Sequence, residues 1–279
     1  MAYKIVVDSC CDLPEEYRKD EHFAVVPLTL VVDDDEIIDD ETFDQLDFLR
    51  RVKESKNGAH SACPSPQRYI DEFENVTDTD IYVVTLSSKL SGSYNAAVLA
   101  GEMYKEDGGT NKVHVFDSRS AAAGEVLIAF MIERAVKEGL SFEEVVERIE
   151  KFRAGMGTYF VLETLEVLRK NGRLSNLKAA LVSALNIKPI MAGDDGSIVK
   201  LGQSRGMDKA LAHMIDYIKA DTVDSANKTL VIAHCNAPTR ALKLKELIEK
   251  AMEIKEVVIV DTAGVSSLYA YDGGIVVSV

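Results

Sequence analysis

The stretch from Ser87 to Ala97, Ser-Ser-Lys-Leu-Ser-Gly-Ser-Tyr-Asn-Ala-Ala, constrains this chain more than any other. The run before it, Ile81-Tyr82-Val83-Val84-Thr85-Leu86, is short, β-branched and apolar, and reads as a buried strand. Apolar residues after it fall at helical spacing from Tyr94 to Tyr104. A strand therefore feeds a Ser/Gly turn that opens a helix. Free N–H groups and the positive end of the dipole project from such a helix start, which suits an anion. Gly92 lets backbone approach a ligand closely, and Ser91 and Ser93 add short hydroxyl donors. A serine that merely caps the helix explains the same pattern, so both readings stand on this segment alone.

Other loops resemble it. Asp8-Ser9, Ser87-Ser88 and Asp117-Ser118 each follow a predicted strand. In an open parallel sheet the carboxyl ends of strands line one edge, where ligands bind, so these loops and the Ser91–Ser93 turn are expected to share one site. Asp8 and Asp117 are read as partners that fix the loops.

Alternating elements run through the whole chain. Capping-box patterns at Thr42/Gln45 and Ser141/Glu144 start helices, Pro66 opens another, and Asp12 or a neighbour is expected to cap the helix after Pro14. Phe23 to Val32 reads as one extended segment, Ser61 to Pro66 as a rigid loop, and Leu177 to Leu185 as a helix. Gly193-Asp194-Asp195-Gly196 between two apolar runs predicts a hairpin. The expected fold is α/β in two domains: an N-terminal domain over 1–155 with a mostly parallel sheet and helices on both faces, and a C-terminal domain over 156–279 with a mixed sheet and helices.

Composition narrows the function. The net charge is −14, from 32 basic and 46 acidic residues, which argues against binding nucleic acid or an anionic membrane surface. A local nest still allows a small anion. Cys10, Cys11, Cys63 and Cys235 form no C-x-x-C pair, and the five histidines have no metal-ligand spacing. No metal or other cofactor is expected. The apolar runs are too short to insert in a membrane, and the N-terminus lacks the pattern of a secretory leader, so a cytoplasmic protein is expected.

These segments together resemble the DegV family, bacterial fatty-acid-binding proteins that act as acyl carriers for a fatty-acid kinase. The family's D-S-x-x-D-L is matched by Asp8-Ser9-Cys10-Cys11-Asp12-Leu13, and its T-S-Q-P-S by Ser61-Ala62-Cys63-Pro64-Ser65. Its S-S-x-L-S-G-T-Y is matched by Ser87 to Tyr94, and its D-S by Asp117-Ser118. Its L-x-x-L-x-K-G-G-R-I is similar to Leu165 through Leu174, and its N-x-K-P-I to Asn186 through Ile190. Six weak motifs in the right order make a specific match over nearly the whole length. The resemblance implies a long-chain fatty acid held between two domains. Its carboxylate would lie near Ser61 and the turn of Ser91, Gly92 and Ser93, with Arg173 close by. The tail would run in an apolar tunnel of the C-terminal domain, and Arg205 would help to dock the kinase. It also implies a carrier without catalytic activity of its own.

One departure bears on the head group. The family's C-terminal loop, G-x-x-I-G-x-H-x-G-P-G, corresponds to Gly264 through Gly274, which places Ala270 where the histidine belongs. Tyr269 or Tyr271 can replace its hydrogen bond but not its charge. Two other functions fit the sequence less well. Ser91 as the nucleophile of a hydrolase lacks the G-x-S-x-G pattern and identifiable His and acid partners. A carrier of a small phosphorylated metabolite, suggested by the fold shared with dihydroxyacetone-kinase-like domains, should gather more cations than Arg173.

Overall fold

The computed structural model describes residues 2–174 and 186–279. The helix expected at Leu177–Leu185 lies outside the described residues. The N-terminal half alternates β1 (Tyr3–Asp8), α1 (Glu15–Arg18), β2 (Phe23–Val26), β3 (Thr29–Val32), β4 (Asp35–Ile38), α2 (Gln45–Glu54), β5 (Ala59–Ala62), α3 (Pro66–Glu74), β6 (Asp80–Thr85), α4 (Ser93–Glu106), β7 (Lys112–Asp117), α5 (Ala123–Lys137) and α6 (Phe142–Ala154). The C-terminal half continues with β8 (Thr158–Val161), α7 (Glu166–Lys170), β9 (Ile187–Asp194), β10 (Ser197–Arg205), α8 (Met207–Asp221), β11 (Thr229–His234), α9 (Pro238–Ala251), β12 (Glu256–Asp261), α10 (Gly264–Ala270) and β13 (Ile275–Ser278).

Two α/β domains result. The N-terminal sheet has the order β2-β1-β6-β7 and is parallel throughout. Alternation along its strands explains the layering: Ile5, Val7, Tyr82 and Val84 face α5 and α6, while Val6, Ile81 and Val83 face α3 and α4. The C-terminal sheet, β10-β9-β8-β13-β11-β12, is antiparallel except for the β11–β12 pair. Leu230 and Ile232 of β11 point to α8 and α9, and Val231 and Ala233 to α5.

Helix α5 therefore serves both sheets. Eleven of its 15 residues are buried. Full burial of each Val, Leu, Ile or Phe contributes roughly 1.5–3 kcal/mol, so α5 is a main source of cohesion between the domains.

The structure corrects several local expectations. Phe23–Val32 is two strands rather than one extended segment: β2 joins the parallel sheet, and β3 joins a separate antiparallel sheet, β4-β3-β5. Pro27 lies between them and lacks the N–H that would continue a ladder. Residues 59–62 are strand β5, which takes in the start of the expected rigid loop. Asp44 caps α2 by accepting Asp47 N–H, so Thr42 and Gln45 form no capping box there. Pro14 takes the cap position of α1, and the Asp12 carboxylate turns elsewhere. Segment 264–270, expected as loop, is helix α10. The Ser141–Glu144 box and the β9–β10 hairpin form as the sequence indicates.

Candidate functional site

A cavity lies between the two halves. Its volume is about 100 Å³, and apolar side chains make up most of its lining. Cys10, Leu28, Leu86, Leu90, Ala121 and Ala122 supply its N-terminal wall, and Phe160, Leu162, Leu168, Ile198, Val265 and Val276 its C-terminal wall. The apolar space is shared by both halves rather than confined to the C-terminal one. The N-terminal sheet reaches the cavity through the loops after β1, β6 and β7, and the C-terminal sheet through residues within β8, β10 and β13.

A small set of polar groups interrupts this lining. Ser61 (β5), Ser91 (the β6–α4 turn), Arg173 (after α7) and Tyr269 (α10) reach the cavity, as do Ser120, Thr158, Ser197 and Ser266. Ser61 Oγ and the Tyr269 hydroxyl are 3.1 Å apart. The Arg173 guanidinium lies 5.6 Å from the Tyr269 ring centroid, a cation–π contact. Its Nε donates to the Leu90 carbonyl at 3.1 Å and one terminal nitrogen to Asn171 O at 2.6 Å, which orients the side chain. Arg173 is the one Lys or Arg among the described lining residues. The Arg173 guanidinium with the Ser61, Ser91 and Tyr269 hydroxyls, on a mainly apolar cavity, can bind a single anionic head group and orient it.

Five of the expected site residues thus meet at the cavity: Ser61, Ser91, Arg173, Tyr269 and Ala270. Three expected ligand residues, Gly92, Ser93 and Tyr271, do not line it. Gly92 is the N-cap position of α4, and a Cβ there would lie 3.0 Å from Cys63 Sγ. Ser93 is fully buried behind the wall, its Oγ 3.1 Å from Ser91 Oγ. Tyr271 ends α10 with φ +56°. Arg205 closes β10, exposed and paired with Ile187 across the hairpin. The N-cap position of α4 is Gly92 rather than a serine, and Ser91 Oγ accepts the first N–H of the helix, that of Ser93, at 3.2 Å.

Several buried groups set this geometry. Asp8 Oδ1 accepts Cys10 N–H and Oδ2 accepts Leu86 N–H, fixing the loop beneath Ser91. Asp117 accepts from Ser88 N–H and Oγ–H and from Arg119 N–H. Both aspartates hold loops, as the sequence reading has them.

Sequence reasoning missed how α10 is seated. Its N-terminus receives carboxylates from the other half of the chain: Ala263 N–H donates to Asp12, and Gly264 and Val265 N–H donate to Asp39, at 2.7–2.8 Å. A Cβ on Gly264 would sit 2.5 Å from Asp39 Oδ1, so glycine is required. Gln45 Nε2 reaches Asp261, Thr262 and Ser267. Burial raises the Asp8 carboxyl to about 6 and the Asp12 carboxyl to about 8, the latter against its hydrogen bond from Ala263. The tip of the β9–β10 hairpin closes another side: Ser87 Oγ–H donates to Gly196 O, and Asp195 pairs with Lys89 and Arg119.

A fold of two α/β domains around a mainly apolar cavity that carries one guanidinium defines a class of small-molecule-binding proteins. The chain belongs to the DegV family, whose model matches residues 2–279. A DegV domain-containing protein of Streptococcus pneumoniae is 35% identical, over 99% of this chain and 98% of the relative. A solved DegV family structure from Ruminococcus gnavus, refined with vaccenic acid, is 45% identical, with a TM-score of 0.96 over 100% of this chain and 99% of that one. The fatty acid kinase B3 protein of Streptococcus pneumoniae, crystallised with linoleic acid, is 33% identical, with a TM-score of 0.91 over 100% of this chain and 99% of that one.

Proposed function

We propose that this protein binds one long-chain fatty acid in the cavity between its domains and presents it to a fatty-acid kinase. The observation that carries the reading is the lining itself: mainly apolar walls with a single guanidinium packed on Tyr269, whose hydroxyl meets Ser61, in a chain similar to proteins whose structures hold vaccenic and linoleic acids. Ser61, Ser91, Tyr269 and Arg173 hold the carboxylate. The Tyr269 hydroxyl, already bonded to Ser61, supplies the hydrogen bond that Ala270 cannot. Each buried methylene contributes roughly 0.8 kcal/mol, so a 16-carbon tail supplies on the order of 10 kcal/mol before the cost of association.

The chain acts as a carrier, and phosphorylation of the exposed carboxylate is the kinase's chemistry. Ser91 pairs with Ser93 rather than with a base, which supports a binding role for this serine. Arg205, exposed at the end of β10, meets the kinase. The domains divide at residues 155 and 156, between α6 and β8. Calorimetric titration of delipidated protein with cis-vaccenic acid tests the reading. Saturable one-to-one binding with a negative heat-capacity change, weakened in Arg173→Ala, is expected. Absence of binding by the wild type overturns it.

A further inference from the structure

Two glycines stand among the described residues that line the cavity, Gly193 and Gly196. The fold explains Gly196: it has φ +81°, and a Cβ there would lie 2.5 Å from Ser87 Oγ. Gly193 has no such reason. It is the next-to-last residue of β9 and pairs with Ile198 across the hairpin. Its φ is not positive, and a Cβ would meet Thr158 Cβ at 3.6 Å and Arg119 O at 3.9 Å, which are ordinary contacts. The irregularity of the β9–β10 ladder falls at Lys200 and Gly202, away from this pair. Glycine inside a strand is destabilising, because it loses the most chain entropy on folding and packs no side chain. A strand position that keeps glycine with no backbone reason for it marks a close approach of another group to the backbone.

The strands fix where along the cavity this position lies. Thr158, Phe160 and Leu162 follow one face of β8 and its end, and all three line the cavity. Leu162 and Thr158 are about 13 Å apart at roughly 3.3 Å per residue. Leu162 packs in one cluster with Leu168, Tyr269 and Ala270, and Arg173 N–H donates to Leu168 O at 2.9 Å. The head-group residues therefore lie toward the Leu162 end. Gly193 lies at the opposite end, beside Thr158. It is exposed, so open space adjoins its Cα. Its neighbours there are held firmly. Thr158 Oγ1 is 2.7 Å from Ser120 Oγ and 3.0 Å from Ser278 Oγ. Ser120 in turn has no room to retreat, since a Cβ on Gly124 would come within 2.0 Å of its Oγ.

We propose that Gly193 sets the length of acyl tail that the cavity accepts: the far end of a long tail packs against its bare backbone, in the space a side chain would take. This rests on the fatty-acid reading of the cavity and deepens it, making Gly193 a specificity-determining residue of the same site.

The test is the dissociation constant for dodecanoic and octadecanoic acids in wild type, Gly193→Ala and Gly193→Val, with the unfolding midpoint of each protein. A methylene that finds a place in the cavity is worth about fourfold in affinity, so carbons added at residue 193 should cost the long acid and spare the short one. All three proteins should bind dodecanoic acid equally. Octadecanoic acid should bind about fourfold more weakly to Gly193→Ala and about tenfold or more weakly still to Gly193→Val. Neither variant should unfold at a lower midpoint, because alanine and valine suit a strand better than glycine. Gly193→Ala adds one carbon at ordinary contact distances, so it decides the matter if the valine variant does not fold. An equal loss for both acids, or wild-type affinity for octadecanoic acid in the folded variants, overturns the proposal while leaving the fatty-acid reading intact. If wild type binds neither acid, the fatty-acid reading fails and the proposal with it.

Discussion

At the scale of single residues, the proposed head-group site divides between what local sequence carries and what it does not. Ser91 is legible from its turn chemistry, whereas Ser61 and Arg173 are legible only through the resemblance of their motifs to the DegV family. Ser93 is equally visible in the motif but points the other way, since the first turn of α4 packs it against Asp8 and Tyr69. No spacing rule distinguishes two serines flanking one glycine. Ser91→Ala should weaken fatty-acid binding by about 1–2 kcal/mol, the worth of one hydrogen bond to a charged group, and Arg173→Ala by about 1.5–3 kcal/mol. Displacement of a fluorescent fatty acid measures both, and wild-type affinity in either variant would remove that residue from the site. Gly196, at φ +81° with a would-be Cβ 2.5 Å from Ser87 Oγ, should tolerate no side chain. Gly196→Ala should lower unfolding stability by at least 1 kcal/mol, read by denaturant titration.

At the scale of elements, strands and helices with strong periodicity are readable, and those held by distant partners are not. Helix α10 is seven residues long and has no capping residue of its own. Its first N–H groups are satisfied by Asp12 and Asp39, more than 220 positions away. Strand β5, Ala-His-Ser-Ala, has little β propensity and forms because β3 offers it a ladder. Asp39 thus does for α10 what a local cap does elsewhere. Asp39→Ala strands two buried N–H donors and should cost about 2–3 kcal/mol. Because α10 carries Tyr269, the variant should also weaken ligand binding. Unchanged stability would mean that α10 is seated by packing alone.

At the scale of the whole molecule, alternation of strands and helices is enough to indicate two α/β domains, but not the burial of α5 between their sheets or the third sheet built from β3, β4 and β5. Hydrophobic runs specify that a segment is buried without saying which sheet buries it. The acids gathered at this junction have a global consequence. Asp8, Asp12 and Glu125 have folded-state pKa values raised above their ordinary ones of 3.8, 3.8 and 4.5. The folded protein therefore binds more protons than the unfolded chain above those values. The stability associated with these groups is fully present below about pH 4 and is lost as pH rises, for Asp8 until about pH 6 and for Asp12 until about pH 8. Each contributes a slope of about 1.4 kcal/mol per pH unit within its window. Asp12→Asn should flatten the decline between pH 4 and pH 8, as measured by denaturant unfolding across that range. An unchanged slope would show that Asp12 is ionised in the fold.

The most direct measurement of the central claim compares the mass of the purified protein under native and denaturing conditions and identifies any lipid released. A native excess equal to one long-chain fatty acid, diminished in Arg173→Ala, is the predicted result. No adduct, together with no uptake of added fatty acid, would contradict the assignment of the cavity.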